Sequence, residues 1–278
     1  MAELTNDSVP AARGADAEPP PAGESLIAVA RDIATLAGQL TLRWFGQRDL
    51  GVTWKPDGTE VTEADRAAER RAREEITQRF PHDAIFGEEE GGVIRRDGRT
   101  WIIDPIDGTR GFVRGVPLYA TLLALVDEHG PLVGVIDLPA MGLTLAAGRG
   151  AGCWLGDHSC SVSERTALDG AVVNTSSFET FDSEQFEALR AAGAMMRTWG
   201  DAYGYFLVAT GHAEAMIDPI CEVWDLAPMP VIIAEAGGIF TDMSGRPDYR
   251  NRNGIATNGA LHSAVIDAMH PTSGAADG

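Results

Sequence analysis

Trp101-Ile102-Ile103-Asp104-Pro105-Ile106-Asp107-Gly108-Thr109 is the stretch on which the reading of this chain turns. Large apolar residues in a row fit a buried strand, and that strand delivers Asp104 at its end. Pro105 has no N–H and is expected to stop the pairing, so Asp107 follows in a turn three residues after Asp104. Two carboxylates therefore leave a sheet at one point. Left alone they repel one another, and the pair calls for a cation, a shared proton or basic partners. Gly108 and Thr109 then offer two backbone amides where a phosphate can be cradled. Oxygen-only donors on a turn suit Mg²⁺ better than zinc. An isolated Asp-x-x-Asp is also found as a plain polar turn whose carboxylates cap backbone groups.

Working outward, Gly87-Glu88-Glu89-Glu90 follows the apolar run Ala84-Ile85-Phe86 and offers a glutamate to complete a shared metal site, although acidic runs are usually solvated loops. Trp224-Asp225-Leu226-Ala227-Pro228 puts Asp225 at the start of a helix that continues through Val231, Ile232 and Ile233, where it acts as a cap, a ligand or both. The chain has 22 Lys plus Arg, of which Lys55 is the single Lys. Such a bias marks Lys55 either as a chance survivor or as a place where a compact ammonium serves and a wide guanidinium does not.

Residues 1–24 read as a disordered, acidic, Pro-rich tail and residues 271–278 as a second one. From Ser25, apolar residues at Leu26, Ile27, Val29, Ile33, Leu36, Ala37, Leu40 and Trp44 predict an amphipathic helix, with Gly46 as its stop. A second helix is predicted from Thr62 or Glu63 to Phe80, opened by Thr62 with Asp65 three residues on and closed by Pro81. Lys55-Pro56-Asp57-Gly58-Thr59 between them is turn chemistry. Strands are predicted over 84–86, 100–103, 118–126, 132–136 and 143–147. Further on come strands at 172–174, 215–217 and 238–240 and helices at 182–192, 202–210 and 225–236. The division is into an N-terminal α+β subdomain, 25–160, carrying most of the candidate ligands, and a C-terminal α/β subdomain, 161–270, carrying Asp225.

Composition excludes several classes. With 41 Asp plus Glu against 22 Lys plus Arg the formal charge is −19, the reverse of what a phosphate backbone attracts, so nucleic acid is not an expected partner. The longest apolar-leaning stretch, 116–126, is too short to span a bilayer, and the N-terminus lacks the basic start and apolar centre of a secretory signal. A cytoplasmic protein without a membrane partner is expected. Cys153, Cys160 and Cys221 lack the spacing of a disulfide framework or zinc knuckle. His82, His129 and His212 read as surface or capping residues. Nucleophile-elbow, zincin and P-loop motifs are missing from the sequence, and the carboxylate spacing of 104–107 is wrong for an Asp-x-Asp phosphatase.

Together, Gly87-Glu88-Glu89, Asp104-Pro105-Ile106-Asp107-Gly108-Thr109, Trp224-Asp225 and Val61-Thr62-Glu63-Ala64-Asp65 preceded by Lys55 resemble the inositol monophosphatase family of Mg²⁺-dependent, lithium-sensitive phosphatases, over roughly residues 25–268. The resemblance implies a mixed α/β fold, a layered α-β-α-β-α sandwich of the inositol monophosphatase and fructose-1,6-bisphosphatase type, and a homodimer. It implies that Glu88, Asp104, Asp107, Asp225 and the carbonyl of Ile106 ligate two to three Mg²⁺ ions. Asp65 and Thr109 would orient the attacking water, Lys55 would sit beside the metal carboxylates, and the amides of Gly108 and Thr109 would hold the phosphate.

The leaving group must be read elsewhere. Arg197-Thr198-Trp199-Gly200-Asp201-Ala202-Tyr203-Gly204-Tyr205 resembles the histidinol-phosphate phosphatase branch, where inositol-specific members carry small residues. Asp218 falls where the inositol branch has a glutamate that contacts sugar hydroxyls. Arg197, Gly200, Asp201, Asp218, Asp225 and Asp107 to Thr109 are thus the candidate substrate residues, with Glu222 near them. Asp201 and Asp218 would attract the ammonium and titratable imidazole of histidinol phosphate, while Asp201 as a helix cap is the plainer reading. A phosphatase acting on inositol phosphate or another cyclitol or sugar phosphate is the alternative. A catalytically silent metal-binding scaffold is a third, opposed by Asp65 and Thr109, which a scaffold does not need.

Overall fold

The computed structural model describes residues 19–48, 50–55, 58 and 60–270. Most of the N-terminal tail, all of the C-terminal one and Pro56, Asp57 and Thr59 of the predicted turn lie outside these residues. Helix α1 (Glu24–Thr41) leads to a ribbon of β1 (Thr53–Trp54) and β2 (Glu60–Val61), then to α2 (Glu63–Arg79). An eight-stranded sheet follows, made of β3 (Ala84–Gly87), β4 (Gly91–Gly92), β5 (Thr100–Asp107), β6 (Ala120–Asp127), β7 (Gly130–Leu138), β8 (Leu143–Gly148), β9 (Gly152–Leu155) and β10 (His158–Ser159), with the short helix α3 (Thr109–Val113) after β5. The second sheet holds β11 (Val172–Asn174), β12 (Met195–Arg197), β13 (Ala215–Asp218), β14 (Ile239–Thr241) and β15 (Gly254–Thr257). Around it run α4 (Ser183–Ala191), α5 (Asp201–Ala209), α6 (Val223–Leu226), α7 (Met229–Glu235) and α8 (His262–Met269).

Strand order is β10-β9-β8-β7-β6-β5-β3-β4 in the first sheet and β12-β11-β13-β15-β14 in the second. The first sheet is antiparallel except where β3 runs parallel to β5. Alternation along β5 and β6 separates two cores. Trp101, Ile103, Leu123 and Leu125 point to one side and pack on Ile33, Ala37, Ala68 and Ile76 of α1 and α2. Ile102, Leu122 and Ala124 point to the other and pack on Tyr205, Phe206, Ile232 and Ile233 of α5 and α7. Both faces are covered, so these strands read as continuous apolar runs rather than alternating ones. Met216, Phe240 and Ala256 of the second sheet close the far side of that middle helical layer. Val173, Ala215 and Ile255 on its other face meet Leu189, Val265 and Met269 of α4 and α8. Helices, sheet, helices, sheet and helices thus alternate in five layers, as the resemblance implied.

Local chemistry explains where elements depart from the sequence reading. Helix α1 ends at Thr41 and the chain turns through 42–46, reaching Gly46 at φ +76°. Strand β5 does not stop at Pro105. It runs to Asp107, with its register against β6 shifting between Asp104 and Asp107. The predicted helix from Asp225 to Ala236 is two helices, because Pro228 caps α7 and separates it from α6. The predicted start of α2 holds in detail: the Thr62 side chain accepts from the Ala64 amide, and the Asp65 carboxylate accepts from the Thr62 amide.

Helix α7 lies close on β7 because Gly134 has no side chain. A Cβ there would sit 2.5 Å from the Pro228 carbonyl oxygen and 3.0 Å from side-chain carbons of Val231 and Ile232. Gly134→Val is therefore expected to lower the unfolding free energy by about 1–3 kcal/mol through overpacking. Urea unfolding measures this, and an unshifted midpoint would contradict the close packing.

Candidate active site

The site begins in the irregularity of β5. Asp104 pairs with Leu122 and Asp107 with Ala120, so Pro105 and Ile106 together oppose Thr121 alone. In a regular strand, residues three apart point to opposite faces. The extra residue of the bulge turns Asp107 to the side of Asp104. Thr121 fixes the bulge by donating its hydroxyl to the Pro105 carbonyl at 2.8 Å, and the Ile106 amide donates to the Asp104 carboxylate at 3.0 Å. Gly108 then adopts φ +83°, where an L side chain is strained, and starts α3.

Asp225 arrives from the other sheet's side. It is the third residue of α6 rather than the predicted cap, and Glu222 occupies the cap position. Its carboxylate accepts from the Glu222 amide at 2.8 Å, which fixes its direction. One oxygen from each of Asp104, Asp107 and Asp225 lies within 4.8 Å of the other two. Asp104 is 2 % and Asp107 8 % exposed, so these are like charges gathered away from water. Burial, then the neighbouring negative charges, hold both Asp104 and Asp107 well above the usual carboxylate range. Burial likewise pushes Glu88 and Asp225 up to about 7. A set of hard oxygen donors at this spacing, disfavoured as bare anions, fits a divalent cation such as Mg²⁺.

Glu88 faces this cluster from the turn after β3. Lys55 donates to Glu88 at 2.7 Å and to Glu89 at 2.6 Å. Burial opposes the Lys55 charge, but the two carboxylates outweigh it and the ammonium is held charged above its ordinary range. A point charge bridging two carboxylates is a task for Lys, in keeping with the one position where the sequence kept it. Asp65 accepts from the Thr62 hydroxyl at 2.6 Å, and its other oxygen accepts from Thr109 at 3.4 Å. Thr109 also contacts the Ile106 carbonyl at 2.9 Å. Asp65, Ile106 and Thr109 are thus brought together at the exit of β5.

The candidate specificity residues lie beside Gly108. A Cβ on Gly108 would come within 3.0 Å of an Asp201 carboxylate oxygen. Asp201 is the first residue of α5 and holds φ +51°, and Gly200 occupies the cap position, so the plain cap reading fails. Its amide donates to the Ser176 hydroxyl at 2.8 Å, and the next amide, Ala202, donates to Asp107. Asp218 ends β13, is 3 % exposed and accepts from the Ser176 amide at 3.1 Å. Asp201 as a residue is exposed, yet its carboxyl is crowded by surrounding protein, and that crowding, then the charge of Asp218, pushes it up to about 6. Gly200 allows this approach, because a Cβ there would lie 2.2 Å from Ser176 Cα.

Two candidates stand apart. Arg197 lies over the Trp199 ring at 5.7 Å and donates to the Met196 carbonyl; no hydrogen bond or ion pair among the described residues ties it to the cluster. Glu222 is paired with Arg252. Ser176, which holds both Asp201 and Asp218, was not singled out in the sequence, where Thr175-Ser176-Ser177 looks like any hydroxyl-rich turn. Glu69 was also missed, although it stands one helical turn after Asp65.

A sequence model described as the inositol monophosphatase family matches residues 23–273. The chain belongs to the inositol monophosphatase family. This member is 40 % identical over 252 residues to the histidinol-phosphatase of Chlorobaculum parvum, covering 87 % of this chain and 95 % of that one. It is 38 % identical over 247 residues to the histidinol-phosphatase of Mycobacterium tuberculosis, covering 86 % and 95 %. Its fold is similar to the extragenic suppressor protein suhB from Bartonella henselae, with a TM-score of 0.83 and 28 % identity over 89 % of this chain and 99 % of that one. This family member is a phosphoric monoester hydrolase.

The raised carboxyl groups give the cation-free protein a definite pH dependence. Glu88 and Asp225 titrate near 7 when folded, against roughly 4 when unfolded. The folded state binds more protons in this window, so their stabilising contribution is complete below about pH 4 and is lost as pH rises through about 7. In chelator, the unfolding free energy should fall from pH 5 to pH 8, and saturating Mg²⁺ should reverse the trend. Urea titrations at fixed ionic strength test it; a rising stability in chelator would contradict the crowding of these carboxylates.

Proposed function

We propose that this hydrolase acts on histidinol phosphate, releasing histidinol and phosphate with Mg²⁺ held by Glu88, Asp104, Asp107, Asp225 and the Ile106 carbonyl. The observation that carries the substrate is the pair Asp201 and Asp218, anchored on Ser176 and placed against the Gly108 turn. An ester with an ammonium and an imidazole gains from two fixed carboxylates; a neutral polyol gains far less. The naming of the two relatives as histidinol-phosphatases supports the same choice. When bound, Mg²⁺ supplies neutralisation of the phosphoryl charge and acidification of water.

The chain's own residues do the rest. The amides of Gly108 and Thr109 follow directly on the two carboxylates and hold the phosphoryl oxygens beside them. Asp65, tied to Thr62 and facing Thr109, orients the water through the Thr109 hydroxyl and accepts its proton. Lys55 bridges Glu88 and Glu89 and favours their charged forms against burial. Asp201 and Asp218 bind the amine end and align the ester for in-line displacement. The family expectations of lithium inhibition, a homodimer and a cytoplasmic location travel with this reading.

Phosphate release from histidinol phosphate and from inositol 1-phosphate, each with Mg²⁺ and with chelator, tests the proposal. A preference for histidinol phosphate that disappears in chelator is the expected result; preference for inositol 1-phosphate would reassign the pocket. Asp104→Asn should lower turnover by about 100-fold or more, since a metal centre contributes several kcal/mol, with an unchanged circular dichroism spectrum. Undiminished turnover would remove Asp104 from the mechanism.

A further inference from the structure

Helix α2 presents a face of small residues, Ala64, Ala68 and Ala72, to the first sheet, and buries acids among them. Glu69 is 0 % exposed. A carboxylate there costs free energy unless it is fully satisfied, and filling the space alone would have called for an alanine. Its partners explain it. One oxygen accepts from the Glu89 amide at 2.7 Å and the other from the Glu90 amide at 3.0 Å. Arg73, one helical turn on, donates its Nε to the same carboxylate at 2.8 Å and its Nη2 to the Gly91 carbonyl. Gly87 is glycine for this reason, because a Cβ there would lie 2.2 Å from a Glu69 oxygen.

We infer that Glu69, backed by Arg73, is a positioning residue that clamps the Gly87–Gly91 turn and so sets where Glu88 and Glu89 meet the cation and Lys55. The turn is held from two sides. The Glu88 amide donates to the Ile103 carbonyl of β5 at 3.1 Å, and the next two amides go to Glu69. Glu88 is therefore fixed between the strand that carries Asp104 and the helix that carries Asp65. Because Asp65 and Glu69 are four residues apart on α2, about 6 Å along its axis, a single rigid helix sets both the water-orienting carboxylate and the turn bearing Glu88. Neither Glu69 nor Arg73 needs to touch substrate for this role.

The role rests on the proposed Mg²⁺ site, and its test separates the two. Mg²⁺ is titrated calorimetrically into chelator-stripped wild type, Glu69→Gln and Arg73→Gln, and amide exchange across 87–91 is followed in the same metal-free proteins. Gln at 69 keeps one acceptor oxygen, leaves one of the two turn amides without its carboxylate partner and removes the negative charge beside Arg73, which keeps its bond to the Gly91 carbonyl. Its Mg²⁺ dissociation constant should rise about 10-fold or more, the usual effect of losing a residue that orients a ligand. The Glu89 and Glu90 amides should exchange faster while exchange in β6 and β7 stays unchanged. Arg73→Gln, which keeps both amide bonds, should give a smaller shift in the same direction and provides the test if Glu69→Gln does not fold. Wild-type Mg²⁺ affinity and unchanged exchange at 89 and 90 in a folded Glu69→Gln protein would overturn the inference. If wild type itself binds no Mg²⁺, the metal reading fails, and exchange at Glu89 and Glu90 still decides whether Glu69 holds the turn.

Discussion

Mutual repulsion of carboxylates forced out of water is the constraint around which this molecule is arranged. Asp104, Asp107 and Asp225 bring oxygens within 4.8 Å of one another, with Glu88 facing them, in a chain whose net charge is already −19. A hydrogen bond between the Asp104 and Asp225 side chains relieves only part of this repulsion. The cluster is held by the framework, and each carboxylate is tied to a rigid element by a backbone bond or bulge that owes nothing to the others. A cation bound here would relieve this repulsion, so its binding and the shape of the site would be two aspects of one balance.

The layers supply that framework. Strand β5 is covered on both faces, which allows a bulge to be carried at its end without exposing the sheet. Helix α5 is joined to it by the Ala202 amide on Asp107, and α6 aims Asp225 through its capping box. The second sheet therefore takes part in the site as well as in the core. Ser176, at the exit of β11, ties Asp201 and Asp218 together, and the Ala202 amide on Asp107 joins the residues proposed to read the leaving group to those proposed to hold the phosphate. The positive φ of Asp201 fits this picture, since strain of this kind persists where surrounding contacts over-determine the backbone.

Much of this was legible in the sequence, and the reasons are local. The apolar run before Asp104, the Thr62–Asp65 capping box and the solitary Lys55 each carry their meaning within a few residues. The five-layer order came through the family resemblance rather than from periodicity. What was not legible depends on contacts distant in sequence. Pro105 looked like the end of a strand, because the bulge that accommodates it needs Thr121 from β6. Asp225 looked like a cap, because Glu222 gives no capping signal of the usual kind. Arg197 followed from position in a motif, and its stacking on Trp199 is a matter of three dimensions. Ser176 acts through residues 25 and 42 positions away, beyond any pattern of spacing.

The central claim is that β5, the turn after β3 and α6 converge to hold a divalent cation. Anomalous diffraction from crystals equilibrated with Mn²⁺, a spectroscopically visible substitute for Mg²⁺, tests it most directly. The account predicts at least one strong peak in contact with oxygens of Asp104, Asp107 and Asp225, and none in crystals of Asp104→Asn at that place. Peaks confined to other surfaces, with these carboxylates bare or sharing protons, would contradict it.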